Sequence, residues 1–294
     1  MLNVILETCA GTLTQGLIYA ILSYGIFITY KILDFPDLTV DGSFPLGAAV
    51  TAVLLTHGVN AWLTLPIALV IGALAGLCTG LIHVRARVRD LLAGIITMTA
   101  LYSINLQIAG SNLMVERAID TIYTSAPVMA LLGSVPLLYR KLIVSLVLEW
   151  YFSTKNGLLL RAVGDNDTLV TTLAVDKGSM KILGLVIANA LVALSGCIVC
   201  QEGRSFSATM GTGQMVFGLA AVIIGTTLFR RMSFVKGTAA VVIGSILYKA
   251  CIQIAILLGL PGNMLKFITA ALFLVILITG NLSGRKGGAD RAGA

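Results

Sequence analysis

The chain has 294 residues, of which 57% are hydrophobic and 11% charged, and its mean hydropathy is +0.97. Soluble domains carry about 25% charged residues, so this composition defines an integral membrane protein forming a single domain over residues 1–294, with no room for a sizeable soluble one. The net charge of +7 would suggest nucleic-acid binding in a soluble chain, but here the basic residues sit in short loops and near the C-terminus, as the positive-inside rule accounts for, and nucleic acid is not an expected partner.

The apolar runs are continuous rather than alternating, which predicts helices, since a helix satisfies its own backbone in lipid. The first span covers Thr12–Ile32; the residues before it lack a basic n-region and carry Glu7, so no cleavable signal is expected. A shorter second run covers Pro45–Thr56. The third, Trp62–His83, carries Gly72, Gly76 and Gly80 at every fourth position, a small-residue face that admits a close neighbour. Leu91–Ala109, Leu138–Phe152 and Ile182–Cys200 follow, then the short run Val216–Phe229, then Thr238–Leu258 and Leu265–Thr279. The expected fold is all-α and polytopic, with roughly eight or nine transmembrane helices.

Arg85, Arg87 and Arg89 share one connection, and Lys155, Arg161, Lys177 and Lys181 another. Arg230, Arg231 and Lys236 share a third, and Arg285, Lys286 and Arg291 follow the last run. Alternating spans put these on one face, which is then cytoplasmic and holds the C-terminus of a multi-pass protein of the cell (inner) membrane. Residues 110–136 and 202–214 fall outside. Leu33–Phe44 (LDFPDLTVDGSF) does not fit, because Asp34, Asp37 and Asp41 would make an acidic loop on the basic face. A break within the membrane, with Pro36, Gly42 and Pro45 ending helical geometry, resolves this. The segment after the sixth span, QEGRSFSATMGTGQMVFG, also leads through Gly, Ser and Phe into a short run. Matching breaks in two halves suggest an internal repeat with a transport route beside them; two ordinary Gly-rich turns would give the same pattern.

Few residues carry chemistry. There is no Gly-Lys-Ser/Thr for ATP phosphates, no metal-ligand spacing and no catalytic constellation, so the chain does not read as an enzyme. His57 and His83 fall at span ends. Of the five cysteines, Cys197 and Cys200 form a C-x-x-C inside an apolar run, which reads as helix packing. Lys249 lies near the centre of the eighth span, where a cation costs roughly 3 kcal/mol. It answers an anionic solute group, a gate ion pair, or a structural partner such as Glu149 or an acid of the first break. Asp37, Thr39, Asp41 and Ser43 offer acceptors and hydroxyls to a polar solute, or cap a helix. Phe35, Phe44 and Phe206 flank the breaks and either stack on a ring or pack.

Between two apolar runs lies a polar insert, Arg161–Lys181. Asp165, Asn166 and Asp167 are N-cap types before Thr168–Val175, whose Leu169, Val170, Leu173 and Ala174 recur at helical spacing, and Gly178 is a candidate stop. This predicts a short amphipathic helix on the cytoplasmic face, covered by lipid or by a partner protein.

The pattern Lys155-Asn-Gly-Leu, Arg161-Ala-Val-Gly-Asp-Asn, Leu173-Ala-Val-Asp and Lys181, followed by Leu194-Ser-Gly in an apolar helix, resembles the permease subunits of branched-chain-amino-acid-type ABC importers. LDFPDLTVDGSFPLGAA (Leu33–Ala49) and GSILYK…LGLPGNMLKFITA (Gly244–Ala270) are similar to the tryptophan/tyrosine-type permeases among them. The resemblance implies a homodimer of permease chains, two cytoplasmic ATPase subunits that use the ATP, and an extracytoplasmic substrate-binding protein. It also implies that the insert, about residues 155–181, holds the coupling helix over Asp165–Val175. The residues implied in coupling are Arg161, Gly164, Asp165, Asn166, Asp167, Leu169, Leu173 and Lys177. An aromatic amino acid is the favoured cargo, with branched-chain amino acids or nucleosides as alternatives. A gradient-driven secondary carrier, or a scaffold without transport, would share the apolar helices but need no ATPase.

Overall fold

The computed structural model describes residues 2–132, 177–229 and 237–259, with isolated positions between 264 and 275. The expected spans Leu138–Phe152 and Leu265–Thr279, the insert up to position 176 and the basic loop 230–236 lie outside these, apart from those positions. In chain order the elements are α1 (Leu2–Ile26), a π-helical turn (Phe27–Ile32), α2 (Val40–Thr56), α3 (Thr64–Val84), α4 (Asp90–Ala109), β1 (Asn112–Met114), α5 (Ala126–Leu132), α6 (Lys177–Gly203), β2 (Ser205–Ser207), α7 (Gln214–Leu228) and α8 (Gly237–Leu257). Among the described residues five helical segments are long and apolar enough to cross a membrane, while α2 and α7 are shorter and apolar.

The described chain is mostly helical, as expected, with one small addition and one correction. Two three-residue strands, β1 and β2, pair antiparallel, with Asn112 opposite Ser207, Leu113 opposite Phe206 and Met114 opposite Ser205. The strands satisfy backbone groups of the two connections at the end of the bundle opposite the arginine-bearing turn. Pro45 does not end helical geometry, since α2 begins at Val40 and runs through it. Proline there removes only the N–H that would have reached the Asp41 carbonyl. Gly211 closes on that carbonyl from the other side, where a Cβ would collide with it.

The bundle is organised around α6. Gly72, Gly76 and Gly80 of α3 face the α6 backbone at Asn189, Leu185 and Ile182, and a Cβ at the first two would strike a carbonyl oxygen. The glycine stripe therefore sets the close approach expected of it. On another side of α6, Gly47 of α2 meets Ala193, and Gly196 of α6 meets Phe44 of α2. α1 is pinned by hydroxyls: Ser195 Oγ donates to the Ile18 carbonyl at 2.9 Å, and Ser245 Oγ of α8 donates to that of Gly16 at 2.7 Å. These bonds take carbonyls already within the helix ladder and tie three helices together without unpaired polar groups. Exposed side chains on α3 and α4, such as Val70, Leu74, Leu92, Ile96 and Ile104, are apolar, as a lipid-facing or protein-facing surface requires.

Candidate functional site

α1 ends by widening. The Leu33 N–H reaches back to the Ile28 carbonyl and the Phe35 N–H to that of Thr29, and Asp34 then turns at φ 48°. π-turns of this kind occur frequently at functional sites. Pro36 cannot rejoin the helix. The chain re-enters helical geometry at Val40, after Asp37 Oδ1 has accepted the Thr39 N–H at 2.9 Å. Asn189 of α6 donates through Nδ2 to Asp37 Oδ2 at 2.7 Å and accepts from Ser43 Oγ at 2.7 Å. Asn189 lies about 18 Å along the α6 axis from Lys177, so the break sits deep inside the bundle. Thr39 Oγ1 shares a hydrogen bond of 2.8 Å with Thr79 of α3.

The second short helix starts against the first. Asp41, in the first turn of α2, accepts the Gly213 N–H through Oδ2 at 2.9 Å and the Met215 N–H through Oδ1 at 2.8 Å. A carboxylate thus caps α7 from a different segment, meeting both its free N–H groups and the positive end of its dipole. The two interrupted segments meet at this carboxylate.

Beside this junction α1, α7 and α8 bring aromatic rings around Lys249. Its Nζ lies 3.4 Å from the Tyr19 ring centroid and 5.0 Å from that of Phe217. Tyr19 also meets Phe44 and Phe217 at centroid distances of 5.8 and 4.8 Å, and Phe217 meets Tyr248 edge-on at 4.9 Å. Lys249, Tyr19 and Gln214 are partly exposed, whereas Phe217 and Tyr248 are buried. Gln214 lies beside the Tyr19 phenol; its Nε2 donates to the Met210 carbonyl at 2.8 Å, and its Oε1 is buried without a hydrogen-bond partner among the described residues. Glu202, at the end of α6, lines a cavity of about 850 Å³ with Glu116, Arg117, Thr121, Gln201 and Arg204. Gln201 joins its walls by accepting the Ile122 N–H at 2.9 Å and donating to Thr64 Oγ1 at 2.9 Å.

The structure thus divides the residues singled out in the sequence. Phe35, Asp37, Thr39, Ser43, Phe44 and Phe206 are all at most 2% exposed, and each is covered by neighbouring helices or by the strand pair. Phe35 packs edge-on against His83 at 5.1 Å, and His83 in turn meets Lys181 Nζ at 3.4 Å. Only Asp41 and Lys249 of that set retain exposed surface. Cys197 and Cys200 are buried in α6, with Cys197 Sγ 3.4 Å from Thr64 Oγ1. Arg161, Gly164, Asp165, Asn166, Asp167, Leu169 and Leu173 lie outside the described residues, and Lys177 and Gly178 open α6. Sequence reasoning missed Tyr19, Asn189, Gln201 and Gln214. Asn189 was findable as a lone amide within an apolar run; Tyr19 carried no such signal.

Short helices that meet at a carboxylate, with a lysine part-covered by rings on an apolar helix, are features of polytopic transport proteins. The chain belongs to the permease components of the branched-chain amino acid transport system family, whose model matches residues 8–277. It is 39% identical to the tyrosine transport system permease protein of Clostridioides difficile, over 93% of this chain and 91% of that one. It is 25% identical to the ribose import permease protein RbsC of Haemophilus influenzae, over 77% and 68% of the two chains. A segment covering 28% of this chain is 35% identical to a nucleoside ABC transporter permease protein of Lactococcus lactis. No solved structure matches significantly.

Proposed function

We propose that this chain is the membrane-spanning subunit of an ABC importer, moving an aromatic amino acid inward with ATP hydrolysed by a separate subunit. The observation that carries the cargo is the match to a permease named for tyrosine transport over nearly the whole chain. The aromatic surroundings of Lys249 agree with it. Two copies pair in the membrane, an ATPase binds at the arginine-bearing face, and an extracytoplasmic binding protein delivers solute at the other. The helix Asp165–Val175, flanked by Arg161, Gly164 and Lys177 and presenting Leu169 and Leu173, is the lever the ATPase grips. The route passes the junction of α2 and α7. Asp41 and Lys249 line it, and Phe35, Asp37, Thr39, Ser43, Phe44 and Phe206 hold the break behind them.

The test is co-expression with an ABC ATPase subunit and an extracytoplasmic binding protein from the same organism, followed by purification and uptake of labelled tyrosine competed by other amino acids. The expected result is a stable complex whose uptake is competed by phenylalanine and tryptophan and not by ribose or nucleosides. Competition by ribose or nucleosides alone would overturn the cargo. A permease that never co-purifies with an ATPase would overturn the class.

A further inference from the structure

We propose that Lys249, Gln214 and Tyr19 form a recognition site within the membrane for the carboxylate and ammonium of a zwitterionic α-amino acid. This rests on the transport role proposed above. Lys249 sits on an apolar helix whose mean hydropathy is 2.0, and desolvating an ammonium there is expensive unless it is answered. The rings of Tyr19 and Phe217 answer it in part: cation–π contacts contribute about 0.5–2 kcal/mol, and among the described residues no carboxylate is in ion-pair contact with the three N–H donors of the ammonium. Lys249 retains exposed surface, and so do its neighbours Tyr19 and Gln214. These polar groups contrast with the apolar exposed faces of α3 and α4.

Gln214 supplies the complementary group. Its Oε1 is buried and has no hydrogen-bond partner among the described residues, a state costly enough that native proteins rarely keep it without reason. It is an acceptor beside Tyr19, and the same ring carries Lys249 on its face. Among the described residues, an ammonium in no ion-pair contact and an acceptor without a donor therefore lie against one aromatic residue, Lys249 over its ring and Gln214 beside its phenol. A zwitterion satisfies both: its carboxylate takes the Lys249 ammonium, its own ammonium donates to Gln214 Oε1, and an aromatic side chain meets the rings. Sugars and nucleosides offer no carboxylate and gain nothing from Lys249.

The test uses the full chain in lipid nanodiscs with its lysines ¹³C-dimethylated, so that each ammonium gives an NMR signal. Loss of one signal in Lys249→Met assigns it. L-tyrosine, tyramine (no carboxylate) and 4-hydroxyphenylpropionate (no ammonium) are then added up to saturation. The Lys249 signal is expected to move with tyrosine and with the acid and to stay fixed with tyramine. Gln214→Met is expected to abolish the tighter binding of tyrosine over the acid. A signal that tyrosine leaves unmoved, or that tyramine moves equally, overturns the site. In the complete assembly with its ATPase and binding protein, Lys249→Met should lower uptake about tenfold or more, as expected for a lost charge-assisted bond. Lys249→Arg should restore most of it, and full uptake by Lys249→Met also overturns the site. Absence of ATP-driven uptake by the unaltered assembly, with the signal still moving, would instead refute the transport role and leave the site standing.

Discussion

Asp41→Ala tests the junction most sharply, because one side chain serves two backbone donors at the start of a helix whose N-cap lies 172 residues later in the chain. The substitution removes both acceptors from the Gly213 and Met215 N–H groups, bonded at 2.9 and 2.8 Å. Hydrogen bonds to a charged group contribute about 1.5–3 kcal/mol each, and loss of an N-cap costs about 0.5–2 kcal/mol. Asp41 is partly exposed, so water recovers part of the loss, leaving about 2–3 kcal/mol. If that loss falls on local opening of the α7 N-terminus, amide exchange at Gly213 and Met215 should quicken by about 30- to 150-fold. Asp41→Asn keeps one acceptor oxygen and loses the charge, so its effect should be smaller. The assay is hydrogen exchange by mass spectrometry on the purified chain in detergent, with peptides spanning 208–222. Unchanged exchange in Asp41→Ala would refute the claim that this carboxylate holds the two short helices together.

Other expectations follow the same physics. Gly47→Ala should prevent α2 from seating on α6, since the new Cβ meets the Ala193 carbonyl; overpacking of this kind costs about 1–3 kcal/mol or more, read as a lower midpoint of thermal unfolding, and an unchanged midpoint would show that the helices can part freely. Asn189→Leu should destabilise by about 1–3 kcal/mol, because Asp37 Oδ2 loses the Asn189 amide, while Ser43 Oγ falls back on the Thr39 carbonyl. Asn189→Asp would place a second carboxylate against Asp37 and should be worse, as unfolding midpoints of the two variants would show. Charge reversal at both Asp165 and Asp167 should leave membrane insertion intact and abolish the coupling of ATP hydrolysis to uptake; measured transport equal to the unaltered chain would contradict the lever.

The spans were legible because apolar runs and helix lengths obey the same lipid constraint. The run Trp62–His83 emerges as α3 at Thr64–Val84, and Thr238–Leu258 as α8 at Gly237–Leu257. The glycine stripe of α3 was legible for the same reason, since spacing by four fixes one face. The start of α2 was not. Proline is a strong local signal, and only the tertiary contact of Gly211 with the Asp41 carbonyl shows why it is tolerated within the helix. The acidic break was visible as a charge in the wrong place, but the use of Asp41 to cap α7 joins residues far apart in sequence. Lys249 stood out by its charge alone. Its ring contacts come from α1 and α7, on which Tyr19 and Phe217 read as ordinary apolar-run aromatics.

The most direct measurement places the chain in vesicles with and without its ATPase. Labelled tyrosine should accumulate only when the ATPase, loaded binding protein and ATP are all present, on the correct sides of the membrane. Accumulation driven by an ion gradient, with this chain alone and no nucleotide, would contradict the account.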